Sequence, residues 1–424
     1  MSEPAVAERS AAADARVADA PCRSCGARGL RVFLSLGDMP LPDALLTAAE
    51  IEGPEPRFPL DVAFCPECSL VQILEEVPPE QLFVDNYLYF SSFSEGLLRH
   101  CRAHAERLIE ERALGPESLV VEIASNDGYM LKNFAARGIP VLGIDPAPSQ
   151  AAAAEAAGIP TLQEFFGTEL ARRLVSEGKR ADVIVANNVL AHVPDLNGVM
   201  AGIAALLTDD GIATVENTYV RDLIDHCEFD TIYHEHFCYF SVTAIDRLVR
   251  RHGLRLVRVE HFPKLQGGTH RWHIARDGEP HPSVAEYLRA EAEAGLTSFS
   301  YYEQFAARVE NVLTSLRSLL ESLRTRGSRI AAYGAAAKGS TLVNAAGIGP
   351  DLVEFVVDRN EHKQGLFMPG THIPIRAPEA LLEEQPGYVL LLAWNYRDEV
   401  MRQQEEYARR GGRFIVPVPV PEIL

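Results

Sequence analysis

The chain has 424 residues, 47% of them hydrophobic and 23% charged, which is enough for two or three separate cores. Its formal net charge of -19 repels phosphate at long range and argues against nucleic acid or an anionic membrane surface as partner. No apolar run reaches the roughly 18 residues of a membrane span. Residues 1–20 are Ala-rich but broken by Glu3, Glu8, Arg9, Asp14, Arg16 and Asp19, unlike a secretory or transit peptide. They are expected to form a disordered tail on a cytoplasmic protein.

Cys22 and Cys25 form one C-x-x-C pair, Cys65 and Cys68 a second. Two such knuckles can set four thiolates tetrahedrally round one Zn²⁺, and the long interval between them predicts extra strands. A Cys₄ set leaves no open position, so the zinc would be structural. This module is expected to span residues 21–85. Next, Tyr87, Tyr89, Ser91 and Ser92 alternate aromatics with hydroxyls ahead of a helical pattern. They read either as the wall of a polar ligand site or as a staple and cap.

A short apolar strand at 119–123 is followed by the turn Ala124-Ser125-Asn126-Asp127-Gly128, a helix from Tyr129, and a second strand at 140–145 ending in Asp145. That order is a nucleotide-binding βαβ unit, in which the first loop lets a ligand approach the backbone and the acid takes ribose hydroxyls. One glycine in the loop, without G-x-G-x-x-G, disfavours NAD and leaves S-adenosylmethionine, which has no pyrophosphate to cradle. Glu122, Ala124, Ser125, Asn126, Gly128, Asp145 and Asn187 are the candidate cofactor residues.

Further strands are predicted at 158–161, 181–187 and 211–216, with an antiparallel hairpin at 255–261 and 269–274. Ligands of open α/β sheets bind beyond the carboxyl ends of the strands. The loop after the fifth strand carries Tyr233-His234-Glu235-His236-Phe237-Cys238-Tyr239, dense in groups that move protons. A metal reading of His234 and His236 is disfavoured because the H-E-x-x-H spacing is absent. Residues 278–328 read as a linker of two solvated helices. From 329 a second Rossmann-like lobe is expected, with strands at 329–333, 355–358, 388–393 and 413–417. In that lobe the helix start at Lys338, Ser340 and Thr341 either holds a phosphate or is purely structural.

Taken together, Cys-x-x-Cys twice, Tyr87-x-Tyr89-x-Ser91-Ser92, Val121-Glu122-Ile123-Ala124-Ser125-Asn126-Asp127-Gly128-Tyr129, the run from Ala186 through His192 to Asp195, and Tyr233-His234-Glu235-His236-Phe237 resemble the S-adenosylmethionine-dependent C-methyltransferases of nucleotide-linked 4-keto-deoxysugars. The likeness runs in order from Cys22 to the C-terminus. It implies an α/β protein: a small Cys₄ zinc module, a class I methyltransferase (Rossmann-like) domain at 86–277, and a Rossmann-like substrate lobe at 329–424. It further implies that a nucleotide-linked keto-sugar is methylated on the carbon beside its ketone, in natural-product sugar biosynthesis. His236 would take the proton, Tyr233 and Glu235 would hold sugar and base, and Tyr87 and His192 would steady the oxyanion. Ser91, Ser92, Asn188, Arg271 and Lys338 would contact the substrate. Glu216-Asn217-Thr218-Tyr219 stands where the family reads Glu-Phe-Pro-His, and His270 replaces an aliphatic residue. An O- or N-methyltransferase, a non-catalytic zinc scaffold and a nicotinamide oxidoreductase are the competing readings; a monomer or weak homo-oligomer is expected.

Overall fold

The computed structural model describes residues 5–17, 20–83, 90–265 and 267–424. The expected tail differs first: Val6–Arg16 is a helix. Val6, Ser10 and Ala13, spaced to share one helical face, are buried. The Asp14 carboxylate accepts from Val32 N at 2.7 Å, and Ser10 Oγ accepts from Ser35 N at 2.8 Å. A helix this short is stable only by such docking, which a composition rich in Ala conceals.

Three antiparallel strands follow, β1 (Arg31–Pro40), β2 (Arg57–Phe64) and β3 (Val71–Ile73). The first Cys pair sits in the turn before β1, the second in the turn joining β2 to β3. The central sheet is built from β4 (Val120–Ile123), β5 (Val141–Ile144), β6 (Thr161–Leu162), β7 (Ala181–Asn187) and β8 (Leu207–Thr218). Val183, Ile184, Val185 and Ala186 of β7 are all buried. A continuous apolar run of this kind suits a parallel sheet covered on both faces.

After β8 the chain makes β9 (Cys238–Tyr239), which does not join the central sheet; it pairs antiparallel with β3 of the zinc module. The chain then returns as β10 (Arg255–Phe262) and β11 (Thr269–Ala275), giving the central order β10-β11-β8-β7-β4-β5-β6. The hairpin is antiparallel, as the sequence predicts, and the rest parallel.

The connecting helices Pro282–Ala294 and Phe305–Thr325 are not solvated all round. Phe305, Val309, Leu313, Leu316, Leu320 and Leu323 bury one stripe of the second helix, and Glu291 of the first is fully buried, accepting from Val242 N and Thr243 N. The last lobe holds β12 (Ile330–Tyr333), β13 (Val356–Val357), β14 (Ile375–Arg376), β15 (Tyr388–Leu391), β16 (Arg413–Val416) and β17 (Glu422–Ile423), ordered β14-β13-β12-β15-β16-β17. Only β17 runs antiparallel to its neighbour. No helix among the described residues is long and apolar enough to cross a membrane.

Candidate functional site

A cavity of about 620 Å³ opens where the carboxyl ends of β4, β5 and β7 meet the 231–239 loop, the last lobe and the zinc module. Ser91, Ala124, Asn126, Asp145, Asn187, Asn188, His192, Tyr233, Glu235, His236 and Lys338 all line it. These residues lie far apart in sequence; the open α/β sheet brings most of them to one edge, and the C-terminal lobe adds Lys338 from the facing side.

On the β4 and β5 side the backbone is bent: Ala124 and Asn126 have φ of 54° and 49°, a left-handed conformation that non-glycine residues seldom adopt. Asp145 is only 5% exposed; its carboxylate accepts from Asn126 N at 2.8 Å and Ala147 N at 2.9 Å, yet burial still pushes its pKa up. A buried carboxylate at the cavity wall would gain from the hydroxyls of a ribose. Asn187 Oδ1, also buried, has no hydrogen-bond partner among the described residues. Both observations fit S-adenosylmethionine, with Asp145 for the ribose and Asn187 an open acceptor.

Four expected residues lie behind the wall instead. Glu122 is fully buried and does not line the cavity, and burial beside Asp145 and Asp127 raises its pKa well above the usual carboxylate value. Ser125 packs against Gly143, where a Cβ would stand 2.5 Å from Ser125 Oγ. Gly128, at φ 76°, is required by close packing on Ile159, which a Cβ would meet at 2.9 Å. Ser92 is held by its backbone N–H to Asp127 at 3.2 Å and does not reach the cavity.

Arg271 is likewise corrected. It is 2% exposed, with Nε donating to Glu216 at 2.5 Å and Nη1 lying 3.3 Å from Glu260, so its guanidinium is consumed inside the sheet. Tyr87 falls outside the described residues. Of the sequence departures, Asn217 and Thr218 line the cavity, whereas Tyr219 and His270 stack on each other at 3.7 Å outside its wall.

The 231–239 loop carries the titratable groups. His236 Nδ1 lies 2.8 Å from the Thr231 carbonyl oxygen, which only accepts, so Nδ1 bears the proton and Nε2 offers its lone pair. Burial and the nearby His192 hold the His236 pKa well below its usual value, and burial pushes His192 down to about 4. The Tyr233 ring is 4.0 Å from the His236 ring and tilted by 30°, while the His192 ring stands edge-on at 4.7 Å. His234 serves differently: its Nε2 reaches the Phe58 and Pro59 carbonyls at 3.2 and 3.1 Å, anchoring the loop to β2. Burial and Asp43 raise the Glu235 pKa, opposed by Lys363.

Across the cavity, Lys338 sits over the Trp394 ring at 4.4 Å, and Trp394 Nε1 donates to Asp230 at 2.6 Å. Sequence reasoning missed Asp43 and Lys363, which also line the cavity: Lys363 Nζ donates to the Ala335 carbonyl at 2.8 Å and lies 3.5 Å from Asp43 Oδ1. No local signal marks either, because their pairing spans 320 residues.

In the zinc module the four Sγ atoms lie within 4.8 Å of one another, Cys22 to Cys68 at 3.4 Å and Cys25 to Cys65 at 3.6 Å. Four sulfurs held about 2.3 Å from a zinc stand about 3.8 Å apart, whereas a disulfide needs about 2.05 Å. The set therefore fits one tetrahedral Zn²⁺ and not disulfides.

Comparison with known proteins agrees with this layout. Residues 22–83 match a family described as a zinc binding domain, 97–259 a methyltransferase domain, and 264–419 a C-methyltransferase C-terminal domain. C-methyltransferase NovU of Streptomyces niveus is 37% identical over 406 residues, 95% of this chain and 96% of its own length. A ubiquinone biosynthesis O-methyltransferase of Methylobacterium sp. (strain 4-46) is 27% identical over 46% of this chain and 66% of its own. Among solved structures, magnesium protoporphyrin IX methyltransferase from Synechocystis PCC 6803 with bound SAM matches 47% of this chain and 89% of its own at 15% identity and a TM-score of 0.34. The chain belongs to the S-adenosylmethionine-dependent C-methyltransferases that carry an N-terminal zinc-binding domain.

Proposed function

We propose that the protein methylates the carbon beside the ketone of a nucleotide-linked keto-deoxysugar, with His236 as the base. The observation that carries this reading is the His236 Nδ1 contact to the Thr231 carbonyl, which leaves Nε2 as an acceptor on the cavity wall. A neutral imidazole can take a proton from a carbon made acidic by an adjacent carbonyl. Bound S-adenosylmethionine supplies an electrophilic methyl, and the transfer then depends mainly on alignment. Tyr233, packed on the His236 ring, keeps that ring edge toward the sugar. His192, kept neutral because burial pushes it down to about 4, has its ring edge-on to His236 and closes the cavity wall beside the base. Lys338, held over Trp394 in the cavity wall, provides a fixed cation for the diphosphate.

The reading is tested by supplying S-adenosylmethionine with a ¹³C-labelled methyl and a nucleotide 4-keto-deoxysugar, then assigning the product by NMR. A methyl on the carbon next to the ketone is expected; a methyl on oxygen or nitrogen overturns it.

A further inference from the structure

The catalytic loop does not stand on the methyltransferase sheet alone. β9, which begins two residues after His236, is hydrogen-bonded to β3, pairing Tyr239 with Val71 and Cys238 with Gln72. Ile73 N adds a 3.0 Å bond to the Phe237 carbonyl. β3 itself leaves the second Cys knuckle after three residues, and Cys65 N donates to Leu70 O at 2.8 Å across that turn. The first knuckle is tied to the same strand. Arg23, between Cys22 and Cys25, donates its backbone N–H to Gln72 Oε1 at 2.9 Å and lays its guanidinium 5.1 Å from the Phe237 ring centroid.

His236 is thus flanked on both sides by residues the zinc module holds: His234 by the Phe58 and Pro59 carbonyls of β2, and Phe237, fully buried, by β3 and Arg23. Phe237 N also donates to Ala191 O at 2.7 Å, carrying the tie one residue short of His192. A two-residue strand has little independent stability; its register is that of its partner. Because binding energy at a Cys₄ zinc site is folding energy for the module that carries it, loosening the knuckles releases β3 and with it the loop.

We infer that the zinc module is the template for the catalytic loop, so that metal occupancy sets the position of His236 and Phe237 while leaving the cofactor half of the cavity intact. The physical tie is independent of whether His236 is the base, so the test reads the loop directly.

Hydrogen exchange is followed in the zinc-loaded enzyme and in enzyme stripped by a chelator, with metal content measured. Amides of residues 237–239 are expected to exchange at least about tenfold faster after stripping, with β7 still protected, S-adenosylhomocysteine affinity held within about twofold, and protection restored by added zinc. Unchanged exchange at 237–239, or loss of protection in β7 to the same degree, overturns the inference. Gln72→Ala supplies a second route that spares every zinc ligand: faster exchange at Tyr239, which pairs with Val71, with full zinc content supports the tie, and exchange equal to wild type refutes it.

Discussion

Glu228 lies three residues before Thr231, in the approach to the 231–239 loop, and is 3% exposed, with Oε2 lacking a partner among the described residues. Burial raises its pKa from 4.5 to about 9, partly opposed by Lys338 and reinforced by Asp230 and Asp222. The folded protein therefore keeps a proton there that the unfolded chain has lost. Folded-state proton binding exceeds unfolded-state binding between pH 4.5 and 9, so stability falls as pH rises through that window. At pH 7 the separation from 4.5 is about 2.5 pH units, and at about 1.36 kcal/mol per unit the carboxyl costs on the order of 3 kcal/mol. Glu228→Gln imitates the protonated acid in size and removes that cost. The variant should match wild type near pH 4.5 and pull ahead steadily through pH 8, which urea midpoints measured at several pH values would show. Parallel pH profiles, or a Gln variant weaker than wild type at pH 8, would refute the reasoning.

The remaining predictions concern the cavity and its supports. Because burial and His192 depress the His236 pKa, the base stays unprotonated and kcat/KM should be level from pH 8 down to about 6.5, declining only in more acid solution; a limb centred at about 6.5, as for an ordinary histidine, would contradict the site. Asp145→Ala strands the N–H groups of Asn126 and Ala147, each costing about 1–3 kcal/mol if left buried and unmade, so S-adenosylhomocysteine should bind at least about tenfold more weakly by calorimetry. Lys363→Met leaves Asp43 and Glu235 without their cation, and kcat should fall about tenfold or more, with Lys363→Arg recovering part of it; equal loss in both would count against the charge. Arg271→Met breaks a buried ion pair and should cost about 3–5 kcal/mol of stability, while KM for the acceptor stays near wild type, because Arg271 is spent on Glu216 and Glu260.

The apolar runs at β4, β5 and β7 and the paired cysteines were readable because each is a local signal: continuous burial on both faces of a parallel strand, and two thiols in one turn. That Asp145, Asn126 and the loop carrying His236 line one cavity followed from strand order, since these loops lie at one edge of the sheet. What could not be read depends on contacts between distant segments. The helix Val6–Arg16 is held by Glu310, Val32 and Ser35, not by its own sequence. Asp43 and Lys363 belong to opposite ends of the chain. Arg271 was misread because an arginine near a site resembles a ligand contact until Glu216 and Glu260 are seen to neutralise it. Glu122 and Ser125 sit in the right motif but support the loop from behind, and motif position alone does not separate wall from backing. Cys238 and Tyr239 were read as part of a loop, and only the structure shows them as a strand borrowed by the zinc module.

The most direct measurement of the central claim is proton exchange without methyl transfer. The enzyme is saturated with S-adenosylhomocysteine in deuterium oxide, given a nucleotide 4-keto-deoxysugar, and the hydrogen on the carbon beside the ketone is followed by NMR. Wild type should replace that hydrogen with deuterium, and His236→Gln should slow the replacement by about 10²-fold or more while binding S-adenosylhomocysteine as wild type does. Replacement at the wild-type rate in His236→Gln would contradict the assignment of the base.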